Sequence, residues 1–156
     1  MNDTLAIDGA SLCIRDVVDV ARDGRPVVLA DAARDRMLES YSWVKQATTQ
    51  DKPVYGVNTG FGSLARVKID PAHSSQLSLN LIRSHAAGVG PVLPVAETRA
   101  MMLLRANALA KGVSGCRPVL VETLLQMLNA DITPMVPSQG SCGSSGDLAP
   151  LAHLGL

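Results

Sequence analysis

The chain has little of several things: four aromatic residues and three cysteines among 156, and no excess of either charge. Fourteen basic residues balance fourteen acidic ones, and they form no basic cluster. That removes the electrostatic footprint by which a protein holds nucleic acid or an anionic membrane, and leaves small, roughly neutral ligands. Cys13, Cys116 and Cys142 are far apart and odd in number, which argues against a disulfide framework and a paired-cysteine zinc site and fits a reducing compartment. No apolar run approaches the length of a membrane span, and Met1-Asn2-Asp3-Thr4 opens without a basic region leading into an apolar one, so the expected location is cytoplasmic. No two histidines stand four apart on a helix and no acidic cluster lies beside one, so neither a transition metal nor a dissociable cofactor is expected. The phosphate-loop pattern is absent, and Gly-x-Ser-x-Gly fails because Asp147 follows Gly146. There is no internal repeat and no low-complexity tail.

What is present reads as a mainly α chain with short strands near the N-terminus, forming one domain over residues 1–156. Strands are expected at Leu5–Asp8 and Arg25–Leu29, with a helix from Ser11 to Ala21 between them. Asp31 is placed to cap a helix that ends before Pro53. Further helices are expected over residues 71–87, ending at Gly88, and over 96–111 and 118–130. The 96–111 segment carries Met101, Met102, Leu103, Leu104, Ala106, Ala108, Leu109 and Ala110, a pattern that predicts burial on several sides. Its neighbours offer few layers to hide it, so more protein is expected to cover it.

The chemistry is expected in the run Gly140-Ser141-Cys142-Gly143-Ser144-Ser145-Gly146-Asp147-Leu148-Ala149-Pro150. Side chains this small let a backbone approach a ligand, or itself. In Ser144-Ser145-Gly146, the amide nitrogen of Gly146 can attack the carbonyl carbon of Ser144 and close a five-membered ring. Loss of water from the ring, and of the hydroxyl from Ser145, leaves a methylene conjugated to an imidazolone. That product is an electrophile, which no encoded side chain supplies. The attacking nitrogen must belong to a residue without a Cβ, which selects Ser145 over Ser144 as the serine that dehydrates. Plainer readings stand beside this one: a flexible connection, or a cradle of N–H groups for an anion.

Residues 140–153 strongly resemble the signature of the aromatic amino acid ammonia-lyases, Gly-Ser-Val-Gly-Ala-Ser-Gly-Asp-Leu-Ala-Pro-Leu. Two further stretches agree, Tyr55-Gly56-Val57-Asn58-Thr59-Gly60-Phe61-Gly62 and Ser84-His85-Ala86-Ala87-Gly88-Val89-Gly90, so the resemblance spans nearly the whole chain. It departs in having Ser144 where alanine is usual and Cys142 where valine is usual. Position 144 contributes a carbonyl to the ring and not a side chain, so cyclisation is expected to survive. The resemblance implies an ammonia-lyase fold and a 4-methylidene-imidazol-5-one made from Ser144, Ser145 and Gly146, with Asp147 supporting the loop. It also implies a homotetramer whose sites draw on more than one subunit. The chain looks like an incomplete, inactive N-terminal portion of such an enzyme, without the helical bundle that follows.

The same resemblance assigns Tyr55 as the base that takes the substrate's β-proton. A phenol is ordinarily too weak for this at neutral pH, so the role requires surroundings that favour the phenolate. By spacing alone Tyr55 reads as a packing residue. His85 alone reads as a structural histidine or a helix C-terminal cation, but in the family the Ser84–His85 pair faces the substrate ring. Ser-His resembles the histidine-acting members, Phe-Leu the phenylalanine-acting and His-Leu the tyrosine-acting ones. The expected reaction is therefore loss of ammonia from L-histidine to give urocanate. The alternatives are a tyrosine or phenylalanine lyase or aminomutase, a non-catalytic anion-binding or assembly fragment, and a thiol enzyme using Cys142 with His85 or His153. His73 is expected to be solvated and His153 to make a structural hydrogen bond.

Overall fold

The computed structural model describes residues 3–49, 52–142, 146 and 148–156. In chain order its elements are β1 (Leu5–Ile7), α1 (Ile14–Asp23), β2 (Val27–Leu29), α2 (Asp31–Thr48), α3 (Ser74–His85), β3 (Val89–Val92), α4 (Val95–Ala110), α5 (Pro118–Asn129), β4 (Pro137–Gln139) and α6 (Leu148–Gly155), with single 3-10 turns at Gly62–Leu64 and Pro71–His73. The mainly α expectation holds. The chain divides into two compact units, Met1–Tyr41 with Val92–Val136, and Ser42–Pro91 with Pro137–Leu156.

The first unit is built on β1, α1 and β2, whose strands run parallel with Leu5 opposite Val27 and Ile7 opposite Leu29. Asp8 turns the chain out of β1 by accepting the N–H groups of Ala10 and Ser11 at 2.8 and 2.9 Å. That turn delays α1 to Ile14, three residues later than expected. The first turn of α1 is then held by Asp16, which accepts the Cys13 N–H at 3.1 Å and takes Arg25 at 2.8 Å. α4 and α5 pack on this unit and fill its centre with Met102, Leu103, Ala106, Val121, Leu125 and Leu128, against Ile7, Val20 and Val27. Val27 is also gripped at the outer edge of β2: Asn129 accepts its N–H and donates to its C=O, both at 2.9 Å.

Within this chain α4 is buried on one face, at Thr98, Arg99, Met102, Leu103, Ala106 and Ala110, while Leu104 is 52% exposed on the side where further protein was expected to cover it. The run of apolar residues is therefore wider than the face that its neighbours cover. Two expectations need correction. Ala30, not Asp31, opens α2 by accepting the N–H groups of Ala33 and Arg34; Asp31 contributes its charge within the first turn instead. The 71–87 segment starts as a 3-10 turn and closes at Ala86, which donates to Ile82, two residues short of Gly88.

One buried charge ties the first unit together. Arg99, 5% exposed, donates to the carbonyls of Leu128 and Val20 at 3.1 and 3.0 Å and to Asp131 at 3.0 Å. It therefore satisfies acceptors of α5 and α1 that lack further helical partners or are shared. We predict that Arg99→Met lowers stability by about 3 kcal/mol, because two buried carbonyls lose a charged donor, while Asp131→Asn costs less than about 1 kcal/mol. Urea denaturation midpoints check both. Asp8 gives a pH prediction. The N–H groups of Ser11 and Ala10 hold its carboxyl down to about 2 from 3.8. Its contribution is present above the unfolded value and disappears as the pH falls from about 4 towards 2. Asp8→Asn is expected to flatten that part of a stability–pH curve.

Candidate active site

The second unit carries the predicted site residues. Its described core contains no large apolar side chain: Ala47, Ala149 and Ala152 are buried, together with the polar Asn58 and Thr59. The loop from Lys52 to Ile69 has neither helix nor long strand to satisfy its backbone, and it folds on turns. Val57 and Asn58 both donate to the carbonyl of Val54, at 3.0 and 3.2 Å. Gly60 donates to Val67 and Ile69 to Asn58, closing the loop's far side. Gly56 sits at φ +72°, which this tight turn requires.

Tyr55 projects from that turn, 63% exposed, with its ring edge-on to Phe61 at a centroid distance of 5.9 Å. Both rings line a cavity of about 610 Å³ that is completed by Gly62, Leu81, Ile82, His85, Leu148, Leu151 and Ala152. α3 supplies Leu81, Ile82 and His85 on one helical face, α6, which packs against it, supplies Leu148, Leu151 and Ala152, and Gly62 comes from the loop. A second cavity of about 250 Å³ lies against Thr48, Gly56 to Thr59, Phe61, Ile69, Leu77 and Ser78.

His85 is held at one nitrogen. Its Nδ1 lies 2.8 Å from the Leu81 carbonyl, which can only accept, so Nδ1 carries a proton and the lone pair of the neutral ring is on Nε2. Ser84 donates its hydroxyl to the same carbonyl at 3.0 Å and stands 3.1 Å from His85 Nδ1. Ser84 is exposed and is not among the residues that line the cavity. The structure thus brings Tyr55 and His85 to one cavity and leaves Ser84 beside it. Ser144, Ser145 and Asp147 lie outside the described residues. Gly146 is described: its φ is +82°, and a Cβ there would meet no atom within 4 Å, so conformation and not space calls for glycine.

The chain entering the glycine- and serine-rich run that starts at Gly140 is fixed by contacts that its sequence did not announce. β3 pairs with β4, and Gly140, at φ +129°, is so close to Gly88 that a Cβ on it would stand 2.9 Å from the Gly88 Cα. His153 accepts the Gly88 N–H on Nε2 at 3.0 Å, the structural hydrogen bond expected of it. His73 is exposed, as expected. Burial pushes the Cys116 thiol up, away from reactivity. Among the described residues no group of His, Cys, Asp and Glu could hold a metal, and no helix is long and apolar enough to cross a membrane.

A cavity of this size takes one small molecule, and within its apolar walls stand a phenol and an imidazole; such a site belongs to the class of enzymes acting on small organic substrates. The family model for aromatic amino acid lyases matches residues 12–156, and the chain belongs to that family of carbon–nitrogen lyases. It is 51% identical over 152 residues to the histidine ammonia-lyase of Stigmatella aurantiaca, covering 97% of this chain and 30% of that protein. Solved structures are similar as well, two of them as follows. The ergothioneine-degrading enzyme ergothionase from Treponema denticola has a TM-score of 0.95 and 34% identity, covering 99% of this chain and 31% of that one. A tyrosine aminomutase from Streptomyces globisporus has a TM-score of 0.91 and 38% identity, covering 97% and 28%. The chain spans about 30% of the length of the curated relatives it matches.

Gly140→Ala is expected to destabilise the second unit by about 2 kcal/mol or more, through a φ that L-residues avoid and a clash with the Gly88 backbone. Gly146→Ala meets the first cost without the second. Thermal melts of the two variants should rank in that order.

Proposed function

We propose that the complete protein eliminates ammonia non-oxidatively from L-histidine to give urocanate. The observation that carries this reading is the presence of Tyr55 and His85 on one largely apolar cavity in a chain of this family. The relatives named histidine ammonia-lyase support it. So does the imidazole of His85, since a polar wall can hydrogen-bond a substrate imidazole and an apolar one cannot.

Ser144, Ser145 and Gly146 would form and hold the 4-methylidene-imidazol-5-one. The left-handed Gly146, with open space about its Cα, fits the part of the unhindered amide that closes the ring. The group would supply an electrophilic carbon, which is the chemistry that an amine, a poor leaving group in water, needs in order to depart. Asp147 would serve as the support of that loop. Tyr55 Oη takes the β-proton; the C–H electron pair becomes the Cα–Cβ double bond as the Cα–N bond breaks, and nitrogen leaves with its electrons as ammonia. His85 Nε2 accepts a hydrogen bond from the substrate imidazole, and Ser84 adds a hydroxyl beside it. Phe61, Leu81, Leu148 and Leu151 keep water from the reacting carbons. The complete enzyme is a cytoplasmic homotetramer whose sites combine residues of several subunits, and the 156-residue chain alone is inactive.

The likeness to a tyrosine aminomutase favours a second reading, in which L-tyrosine is rearranged to its β-amino isomer. Product analysis on both substrates separates the two. With the complete protein, L-histidine is expected to give urocanate and ammonia, and L-tyrosine no β-amino acid. The intact mass is expected to be short by two waters, and Ser145→Ala to restore it. An active preparation of full mass would sink the ring; a deficit that persists in Ser145→Ala would mean the wrong serine. His85→Leu should lower kcat/KM for histidine roughly 10- to 100-fold, the loss expected for one buried hydrogen bond.

A further inference from the structure

We propose that Asn58 is a positioning residue that sets the direction of Tyr55, an inference that rests on the reading of Tyr55 as the base. Asn58 is 6% exposed, and all four kinds of hydrogen-bonding group it carries go to the backbone around the tyrosine. Its side-chain Oδ1 accepts the Val54 N–H at 2.7 Å and its Nδ2 donates to the Lys52 carbonyl at 3.0 Å. Its own N–H donates to the Val54 carbonyl at 3.2 Å, and its own carbonyl accepts from Ile69 at 2.9 Å.

The consequence for Tyr55 is geometric. The peptide group before it is anchored through the Val54 carbonyl, which takes two donors. The peptide group after it is anchored through the Gly56 N–H, which donates to Thr59 Oγ1 at 3.2 Å. Two fixed peptide planes define the Cα–Cβ vector between them. That matters because the tyrosine ring is mostly exposed and, among the described residues, its aromatic contact is one edge-on approach to Phe61. Packing of that extent does not aim a side chain, so the backbone must. The part also selects its residue: a short amide offers an acceptor and a donor at once, whereas aspartate lacks the donor, alanine both, and glutamine is a methylene too long.

The test uses the full-length protein and four forms of it: parent, Asn58→Ala, Asn58→Asp and Tyr55→Phe. Asn58→Ala is expected to lower kcat about 10- to 100-fold, as a small misplacement of a catalytic group does, with KM within about twofold of the parent. Asn58→Asp, which keeps the Val54 contact, should fall between them. The two-water mass deficit should persist in both, and the Val54 amide should exchange its hydrogen at least about tenfold faster in Asn58→Ala while amides of α3 and α6 keep their rates. Parental kcat in Asn58→Ala, a loss carried by KM, loss of the mass deficit, or unchanged exchange at Val54 would each overturn the proposal. Tyr55→Phe keeps the two questions apart. Undiminished turnover in Tyr55→Phe removes the base itself, whereas a dead Tyr55→Phe beside a fully active Asn58→Ala removes only the role of Asn58.

Discussion

A peptide group taken out of water must find a partner, and between Lys52 and Ile69 neither helix nor long strand provides one. Two side chains fill the gap. Asn58 and Thr59 are buried polar residues whose bonds go to loop backbone, and they close a turn that the two glycines beside Tyr55 and Phe61 make possible. The contrast with the first unit is physical. There, Ile7, Met37, Met102, Leu103 and Leu128 are fully buried, and the fold rests on apolar area. Where the chemistry is expected, the described buried apolar residues are alanines, and geometry is held by directional bonds. Directional bonds specify angles, which a catalytic group needs more than it needs bulk stability.

The same economy governs the approach to the glycine- and serine-rich run that starts at Gly140. Gly88 and Gly140 meet backbone to backbone, and the imidazole of His153 closes over the Gly88 amide from α6. β4 leads into the run and α6 leads out of it, so one cluster holds both shoulders of the segment Ser141–Asp147. The small residues at the contact therefore fix where the two ends of that segment stand.

Much of this was legible in the residues. The three glycine-rich stretches identified the family, and the sequence located α4 and α5 to within a residue at each end, and α2 by its start at Asp31 and its end ahead of Pro53. What was not legible depended on distant partners. Val89-Gly90-Pro91-Val92 and Pro137-Ser138-Gln139 have no strand pattern, because glycine and proline lower their propensity; they are strands because they face each other. Arg99 in an apolar helix gave no sign that its guanidinium would be buried, since the carbonyls it serves belong to α1 and α5. The apolar run on α4 is wider than the face its own chain covers, since hydrophobicity records what a residue tolerates and the neighbours decide what is covered. Asn58 stood in the Tyr55–Gly62 stretch without a role of its own, because the four backbone groups that it gathers come together only in the fold.

The grip of Asn129 on Val27 carries a consequence of a different kind. A two-stranded sheet has outer margins whose amides and carbonyls invite another chain to add itself, which is how soluble proteins begin to aggregate. At Val27 a carboxamide from α5 imitates the missing strand with both its atoms, so that residue has nothing left to offer a newcomer. A helix thereby does for a very small sheet what a barrel does by closing on itself.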